Sequence, residues 1–304
     1  MSVNRQSENA SGAPITVGLP FWNNERTLGA AIQSVLAQTT PDWLLLAVND
    51  GSRDASVAIA RSFRDPRLRL VEDGEHRGLV YRLNQIAALA ASPFLARMDA
   101  DDLMHPRRLE RQLACLGGAG RPDLVATAAY VIDQDGRLVA TAGAEPLEAT
   151  PREALIHGLF IHPTVAGRRE WFRENPYDER YVRSEDRELW IRTCGHSKFA
   201  KIAEPLYFYR ETRPPDLAKC AESHRTDRRI LRRYGPEILG VAETWRLVCR
   251  SWLRDWGLKA IRGIHGERLI GPWRSTRHLY RALSPDQRRA AEEILEGMAE
   301  RQAA

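Results

Sequence analysis

Three short polar clusters in this sequence have residue types suited to chemistry, and each sits at the edge of an apolar run. Asp99-Ala100-Asp101, with Asp102 beside it, comes directly after Phe94-Leu95-Ala96-Arg97-Met98. If that run is a strand, side chains two residues apart leave its end on the same side. Asp99 and Asp101 can then share a hard cation such as Mg²⁺ or Mn²⁺, which takes oxygen ligands and bridges carboxylates to phosphate. Asp50-Gly51-Ser52 ends another apolar run. Gly51 permits a tight turn, and Asp50 can accept hydrogen bonds from a nucleobase imide or a ribose, although the same three residues also make an ordinary turn. Glu185-Asp186 opens an apolar, helix-like segment. A carboxylate there either complements the helix dipole or, beside an acceptor hydroxyl, acts as a general base.

The elements that must position these clusters are legible as alternating strands and helices. Strands are expected over residues 15–19, 44–48, 68–71 and 94–98, with helices over 27–38, 54–63 and 81–90. This alternation predicts a mostly parallel sheet covered on both faces, an α/β domain. Ligands of such sheets bind beyond the carboxyl ends of the strands, which is where Asn23-Asn24, Asp50-Gly51-Ser52 and Asp99-Ala100-Asp101-Asp102 fall. Pro20 with Asn23 and Asn24 marks a loop. Farther on, Asp135-Gly136 between residues 124–132 and 137–142 signals a hairpin. Residues 160–165 form a short apolar segment containing His162-Pro163-Thr164. A helix is expected over 185–194 with Leu189, Trp190 and Ile191 inward, and a last short strand over 206–209.

The order of these motifs resembles that of family 2 glycosyltransferases. The resemblance is carried by residues 17–25 (VGLPFWNNE), 31–39 (AIQSVLAQT), 49–54 (NDGSRD), Arg77-Gly78-Leu79 with Asn84, residues 98–102 (MDADD) and residues 184–190 (SEDRELW), in that sequence. It covers roughly residues 14 to 210. It implies a GT-A fold, Rossmann-like with flanking helices, and a metal-dependent hexosyl or related transfer with inversion from a nucleotide-diphosphate sugar, by default a uridine carrier. By position, Pro20 and Glu25 would lie near the nucleotide, Asp50 would bind the base, and Asp99 would hold the ribose or a water next to the metal. Asp101 would coordinate the divalent metal (Mn²⁺ or Mg²⁺), and Asp186 would be the catalytic base with Glu185 beside it. His162 and Trp190 are acceptor-side candidates, against the alternatives of a loop-shaping histidine and a core tryptophan. Two departures stand out. Asn49 replaces a frequent second aspartate, and Thr212 replaces a frequent histidine, so Arg210 or Arg213 is expected to contact the diphosphate instead.

At 304 residues, 43% hydrophobic and 28% charged, the chain has the composition of a globular protein and not of a disordered one. Residues 1–13 read as a flexible tail, 14–215 as the GT-A domain and 216–304 as a basic helical extension. The first dozen residues lack the apolar stretch of a signal peptide, and no run reaches the roughly 20 apolar residues of a spanning helix. A cytoplasmic enzyme is expected, peripheral at the membrane's cytoplasmic face if its acceptor is lipid-linked, the other acceptor class being a glycan. Cys115, Cys194, Cys220 and Cys249 show neither zinc nor disulfide spacing.

Net charge is +5 and the pI near 9.2, which suits a polyanionic partner without choosing one. In the extension, Trp245, Val248, Cys249, Trp252 and Trp256 share a helical face, with Arg246, Arg250 and Arg254 as a second stripe. Such a helix suits an interface with an anionic membrane, or it docks its tryptophans on the catalytic domain and leaves its arginines in water. Pro285 to Met298, capped by Ser284, is the final helix. A nucleic-acid-binding protein is the rival from another class, but it leaves the acidic loops unexplained, and no nucleic acid is expected as partner. A nucleotidyltransferase would need an early glycine-rich triphosphate loop that the sequence lacks. A catalytically inactive scaffold of the same fold is the third alternative.

Overall fold

The computed structural model describes residues 12–211, 217–263 and 280–303. The expected N-terminal tail up to residue 11, together with Thr212 and Arg213, lies outside the described residues. The first half is the predicted alternation: β1 (Ile15–Phe21), α1 (Leu28–Leu36), β2 (Trp43–Asn49), α2 (Ser56–Ser62), β3 (Leu68–Val71), α3 (Leu79–Leu89) and β4 (Phe94–Arg97). These strands pair in parallel in the order β3-β2-β1-β4. Both faces are covered, so the strands are apolar at nearly every position. Ile15, Val17 and Leu19 pack with Ile32 and Val35 of α1, while Leu46 and Val48 pack with Leu83 and Ile86 of α3. Gly18 faces α3 and has no room for a side chain: an added Cβ would lie 2.4 Å from Ile86 Cγ2.

β1 runs farther than expected, through Pro20, which pairs in register with Val48. The β1–β4 ladder ends at Gly18↔Arg97, and Met98 N–H then donates to Gly18 C=O. Backbone groups of Pro20 point to that same side, where β4 has stopped, and an imide nitrogen is tolerated there because no ladder bond is lost.

The second half is mixed. It comprises β5 (Leu103–Met104), α4 (Arg108–Gly117), β6 (Leu124–Ile132), β7 (Leu138–Ala142), α5 (Pro151–Ile156), a 3-10 turn at His162–Thr164, β8 (Ala166–Arg168), α6 (Arg169–Glu174), α7 (Glu185–Thr193) and β9 (Phe199–Arg210). The β6–β7 hairpin forms where Asp135-Gly136 signalled it. β9 is far longer than residues 206–209. Its first half carries Lys201, Glu204 and Pro205 at partly exposed positions, and its register with β6 shifts near Pro205, which breaks the apolar alternation that marks a strand. The full sheet order is β3-β2-β1-β4-β8-β6-β9-β5, with β7 on β6.

Among the described residues the extension contains α8 (Leu217–Ile238), α9 (Val241–Gly263) and α10 (Pro285–Ala303). Ile230 and Leu231 of α8 and Val248 of α9 join the core that contains α5 and α7. Ala291 and Met298 of α10 close over Tyr130, Ile132, Leu138 and Phe208 of the sheet. Ser284 and Gln287 cap α10 reciprocally, side chain to backbone N–H in both directions.

Gly51, at the end of β2, has φ +71°, and a Cβ there would lie 2.9 Å from the backbone of Glu75 and His76. Gly51→Ala is therefore expected to destabilise the fold by about 1–3 kcal/mol. Thermal unfolding measures this, and an unchanged Tm would show that the two loops separate at no cost.

Candidate active site

The loops after β1 and β2 are laced into one wall. Asn23 N–H donates to Ser52 Oγ and Arg53 N–H to Asn23 Oδ1. Glu25 N–H donates to Asp54 Oδ2, and Ala55 N–H donates back to Glu25 Oε2. Asn23 takes a left-handed φ of 52° to make this exchange, a conformation asparagine adopts more readily than most residues. Asn49 Oδ1 accepts from Ser52 N–H and closes the turn, so position 49 serves the loop without a charge. Across from this wall lie Asp101, Arg210 and the β6–β7 turn residues Gln134 and Asp135, enclosing a cleft of about 840 Å³. Its size falls within the roughly 300–1,000 Å³ of small-molecule sites.

Asp99, Asp101 and Asp102 leave the end of β4 with ligand oxygens within 4.8 Å of one another. Their surroundings explain why so much negative charge is tolerated. Arg97 is buried and its Nη2 lies 2.9 Å from Asp99 Oδ1. Asp99 N–H donates to the Tyr207 hydroxyl at 3.1 Å. Arg210 N–H donates to Asp102 Oδ1 at 2.6 Å, and its guanidinium donates to the carbonyls of Asp101, Asp133 and Gln134. Arg210 thus ties the acidic loop to the β6–β7 turn while lining the cleft. Desolvation, and next the charge of Asp99, raise the Asp101 carboxyl to about 6. Burial likewise pushes Asp102 well up, and its Oδ2 has no hydrogen-bond partner. An all-oxygen donor set in which burial and mutual repulsion raise the Asp101 and Asp102 carboxyls fits a hard divalent cation, which would relieve both effects.

A second acidic cluster forms on the other side of Arg97. Ligand atoms of His162, Glu185 and Asp186 also lie within 4.8 Å of each other. His162 Nε2 is 2.8 Å from the Tyr177 hydroxyl and its Nδ1 is 3.4 Å from Glu185 Oε1. Burial, then the positive charge of Arg97, lowers His162 to about 3, so its imidazole is neutral. Burial raises both Glu185 and Asp186 above the ordinary carboxylate range. Asp99 is near enough to bias the ionisation of Glu185 and His162. The two acidic clusters therefore share one end of the sheet, with Arg97 between them.

The first turn of α7 is fixed from the extension. Ser184, at a left-handed φ of 56°, donates its Oγ to Asp227 of α8 at 2.7 Å. Arg187 pairs with the same Asp227 at 3.1 Å, and the Tyr234 hydroxyl donates to Glu188 at 2.7 Å. Nothing in the local sequence around Asp227 signals this. Arg97 was equally invisible as a functional residue inside an apolar run, although an arginine in an otherwise apolar strand is itself an anomaly worth reading.

The structure brings together Glu25, Asp101 and Arg210 in the cleft, and His162, Glu185 and Asp186 in the neighbouring cluster. Asp50 stands behind the wall, 4% exposed, its carboxylate accepting from Arg82 Nε at 2.8 Å and from the N–H groups of Arg77 and Gly78. Pro20 is buried within β1. Trp190 is a correction. Its indole is fully buried, stacked on Trp171 with Phe160 and Phe199 edge-on, so it builds the core under α7 and presents no acceptor-facing surface.

A parallel α/β half-sheet, a mixed second half and acidic clusters at one end of the sheet define the GT-A type of fold. Solved structures agree. Staphylococcus aureus TarS (residues 1–349) in complex with UDP matches with a TM-score of 0.57 at 16% identity, over 80% of this chain and 72% of that one. Mannosyltransferase PcManGT of Pyrobaculum calidifontis, in complex with GDP-Man and Mn²⁺, matches with a TM-score of 0.55 at 16% identity over 94% and 79%. The family model "Glycosyl transferase family 2" matches residues 16–195, and the chain belongs to that family. EpsE of Bacillus subtilis (strain 168), named as a glycosyltransferase, is 32% identical over 210 residues, 66% of this chain and 74% of its own length. WfgD of Escherichia coli, a UDP-Glc:α-D-GlcNAc-diphosphoundecaprenol β-1,3-glucosyltransferase, is 31% identical over 102 residues, 34% of this chain and 40% of its own.

Two outcomes follow from this geometry. Because Asp101 retains its proton up to about pH 6, Mn²⁺ must displace that proton below this pH. Affinity should weaken by about tenfold per pH unit on the acid side and level off above it; titration calorimetry at several pH values reads this directly. Asp227→Asn should lower sugar transfer on the order of 10- to 100-fold by loosening the first turn of α7, while Mn²⁺-dependent nucleotide binding persists. Loss of both together would mean that Asp227 only supports folding.

Proposed function

We propose that this glycosyltransferase transfers a hexosyl or related sugar, with inversion, from a nucleotide-diphosphate donor to a hydroxyl of a glycan or lipid-linked acceptor. The observation that carries the reading is the pairing of two carboxylate clusters across Arg97, one on the cleft and one at the head of α7. UDP in the TarS complex, and the UDP-Glc named for WfgD, support a uridine nucleotide as the default donor. GDP-Man with Mn²⁺ in the PcManGT complex supports a metal-assisted site. The diphosphoundecaprenol named for WfgD supports a lipid-linked acceptor, which would draw the enzyme to the cytoplasmic face of a membrane.

In this mechanism the donor lies in the cleft between the Glu25 wall and Arg210. Asp101, with Asp99 and Asp102 beside it, would hold a divalent cation, which neutralises the departing diphosphate when bound. Asp186, made more basic by burial, removes the proton of the acceptor hydroxyl as its oxygen attacks the anomeric carbon. The bond from that carbon to the diphosphate oxygen breaks from the opposite face, the diphosphate leaves with the electron pair, and the proton remains on Asp186. Glu185 and neutral His162, hydrogen-bonded to Tyr177, position Asp186 and the acceptor. Asp50 acts on the base side through the loop it organises with Arg82.

Among the described residues no helix is long and apolar enough to cross a membrane.

The test combines a binding and a rate measurement. Stabilisation of the purified protein by one nucleotide diphosphate, only with Mn²⁺ present, is expected and should vanish in Asp101→Ala. Asp186→Asn should retain that stabilisation and lose transfer by about 10²–10⁴-fold. Normal turnover in Asp186→Asn would refute its role as base.

A further inference from the structure

The tryptophans of α9 lie largely at the surface, although Val248 of the same face is buried. Trp245, Trp252 and Trp256 are 52%, 44% and 71% exposed, and Leu253 and Val241 on the same side are 73% and 62% exposed. The rotation of α9 is fixed along the strip of its surface next to the tryptophans. Val248 is buried against the core shared with α5 and α7. Thr244 packs so tightly on Gly235 of α8 that a Cβ there would lie 2.6 Å from Thr244 Oγ1. Asp255 is buried and clamped by Arg228 at 2.7 Å and His224 at 2.5 Å. A roll that brought the indoles inward would break that clamp and bury an unpaired carboxylate, which is strongly unfavourable.

Cations border the ridge on both sides. On α9 itself the next stripe is Arg246, Arg250 and Arg254, of which Arg246 is paired with Glu243. Arg250 and Arg254 make no ion pair among the described residues. On the other flank, α8 places the buried Arg228 guanidinium 4.2 Å from the Trp252 ring centre and the exposed Arg232 5.9 Å from that of Trp245. Indoles with aliphatic neighbours, bounded by guanidinium groups, match the boundary between headgroups and acyl chains of a bilayer, where tryptophan partitions and arginine meets phosphate. A second copy of the chain is a poor occupant, since a two-fold contact would set these arginines against their own equivalents.

We propose that the Trp245–Trp252–Trp256 ridge of α9, with the arginines on its two flanks, docks this enzyme peripherally on an anionic lipid bilayer. The proposal deepens the lipid-linked acceptor reading by naming the surface and the lipid charge. α8, which forms one flank, also holds Ser184 and Arg187 through Asp227. The docked surface is thus joined through one rigid helix to the turn that carries Glu185 and Asp186.

Co-sedimentation of the full chain with vesicles tests this. Binding is expected to phosphatidylglycerol mixed with phosphatidylcholine, weakened by salt and absent with phosphatidylcholine alone, and accompanied by a blue shift of tryptophan emission. Trp245→Ser with Trp252→Ser and Trp256→Ser should abolish binding. Arg250→Gln with Arg254→Gln should weaken it roughly thirtyfold. No binding to the anionic vesicles would overturn the proposal, as would equal binding by the tryptophan variant, or a parent dimer that becomes monomeric in that variant. Stabilisation by UDP with Mn²⁺ is read on the same proteins. Its retention in a variant that no longer binds vesicles separates the docking surface from the donor site, and its absence in the parent points to failure of the donor-site reading alone.

Discussion

Asp99, Asp101, Asp102, Glu185 and Asp186 converge on one end of a sheet, with Asp102 and Glu185 buried and the others partly open to the cleft side. Left to themselves these carboxylates would repel one another and bind protons more tightly, which is the direction in which Asp101 and Asp102 are shifted. The buried Arg97 guanidinium is the fixed cation that makes the arrangement tolerable. It pairs with Asp99 and lowers the proton affinity of Glu185, so its charge acts on both clusters. Its Nε and Nη1 have no hydrogen-bond partner, a costly state for a buried polar group. The fold retains that cost where the charge is needed.

Backbone geometry aims this constellation. Arg97 N–H donates to Val165 C=O, and Arg108, fully buried, donates to Arg97 C=O while lying over the Tyr207 ring. Gln112 of the same helix donates to the carbonyls of Thr164 and Val125. The end of β4, the turn that presents His162 and the strand β6 are therefore held as one unit by side chains from α4. Such bracing matters for any reacting group, since a misplacement of about 1 Å can cost 10²-fold in rate.

The extension belongs to this unit. α8 reaches the head of α7 through Asp227 and Tyr234, α9 is locked to α8 by Asp255 and Thr244, and α10 closes over β6, β7 and β9. The α8–α9 pair presents tryptophan and arginine outward and, through Asp227 and Tyr234, holds the first turn of α7 inward. The alternative in which the tryptophans dock on the catalytic domain does not occur. The inward face of α9 is filled instead by Thr244, Val248 and Asp255.

What the sequence determined by itself was local. Apolar runs bounded by Asn-Asn, Asp-Gly-Ser and Asp-Ala-Asp placed β1 to β4 and their helices, because a parallel strand covered on both faces is apolar throughout and must end where polar groups meet water. The order of those polar ends, with Glu185-Asp186 opening a helix, was enough to identify the family. Contacts between residues distant in the chain were decided only by the tertiary structure. The length of β9 was hidden because its pairing with β6 slips at Pro205. Asp50 reads as a free ligand until Arg82 and the Gly78 N–H are seen to occupy it. Trp190 reads equally as surface or core until Trp171 and Phe199 enclose it. Arg97 and Asp227 carry no motif, since their roles consist of charges opposite them across 88 residues and of a turn 43 residues away. Periodicity reports which face of an element is buried; it cannot report what charge that face will meet.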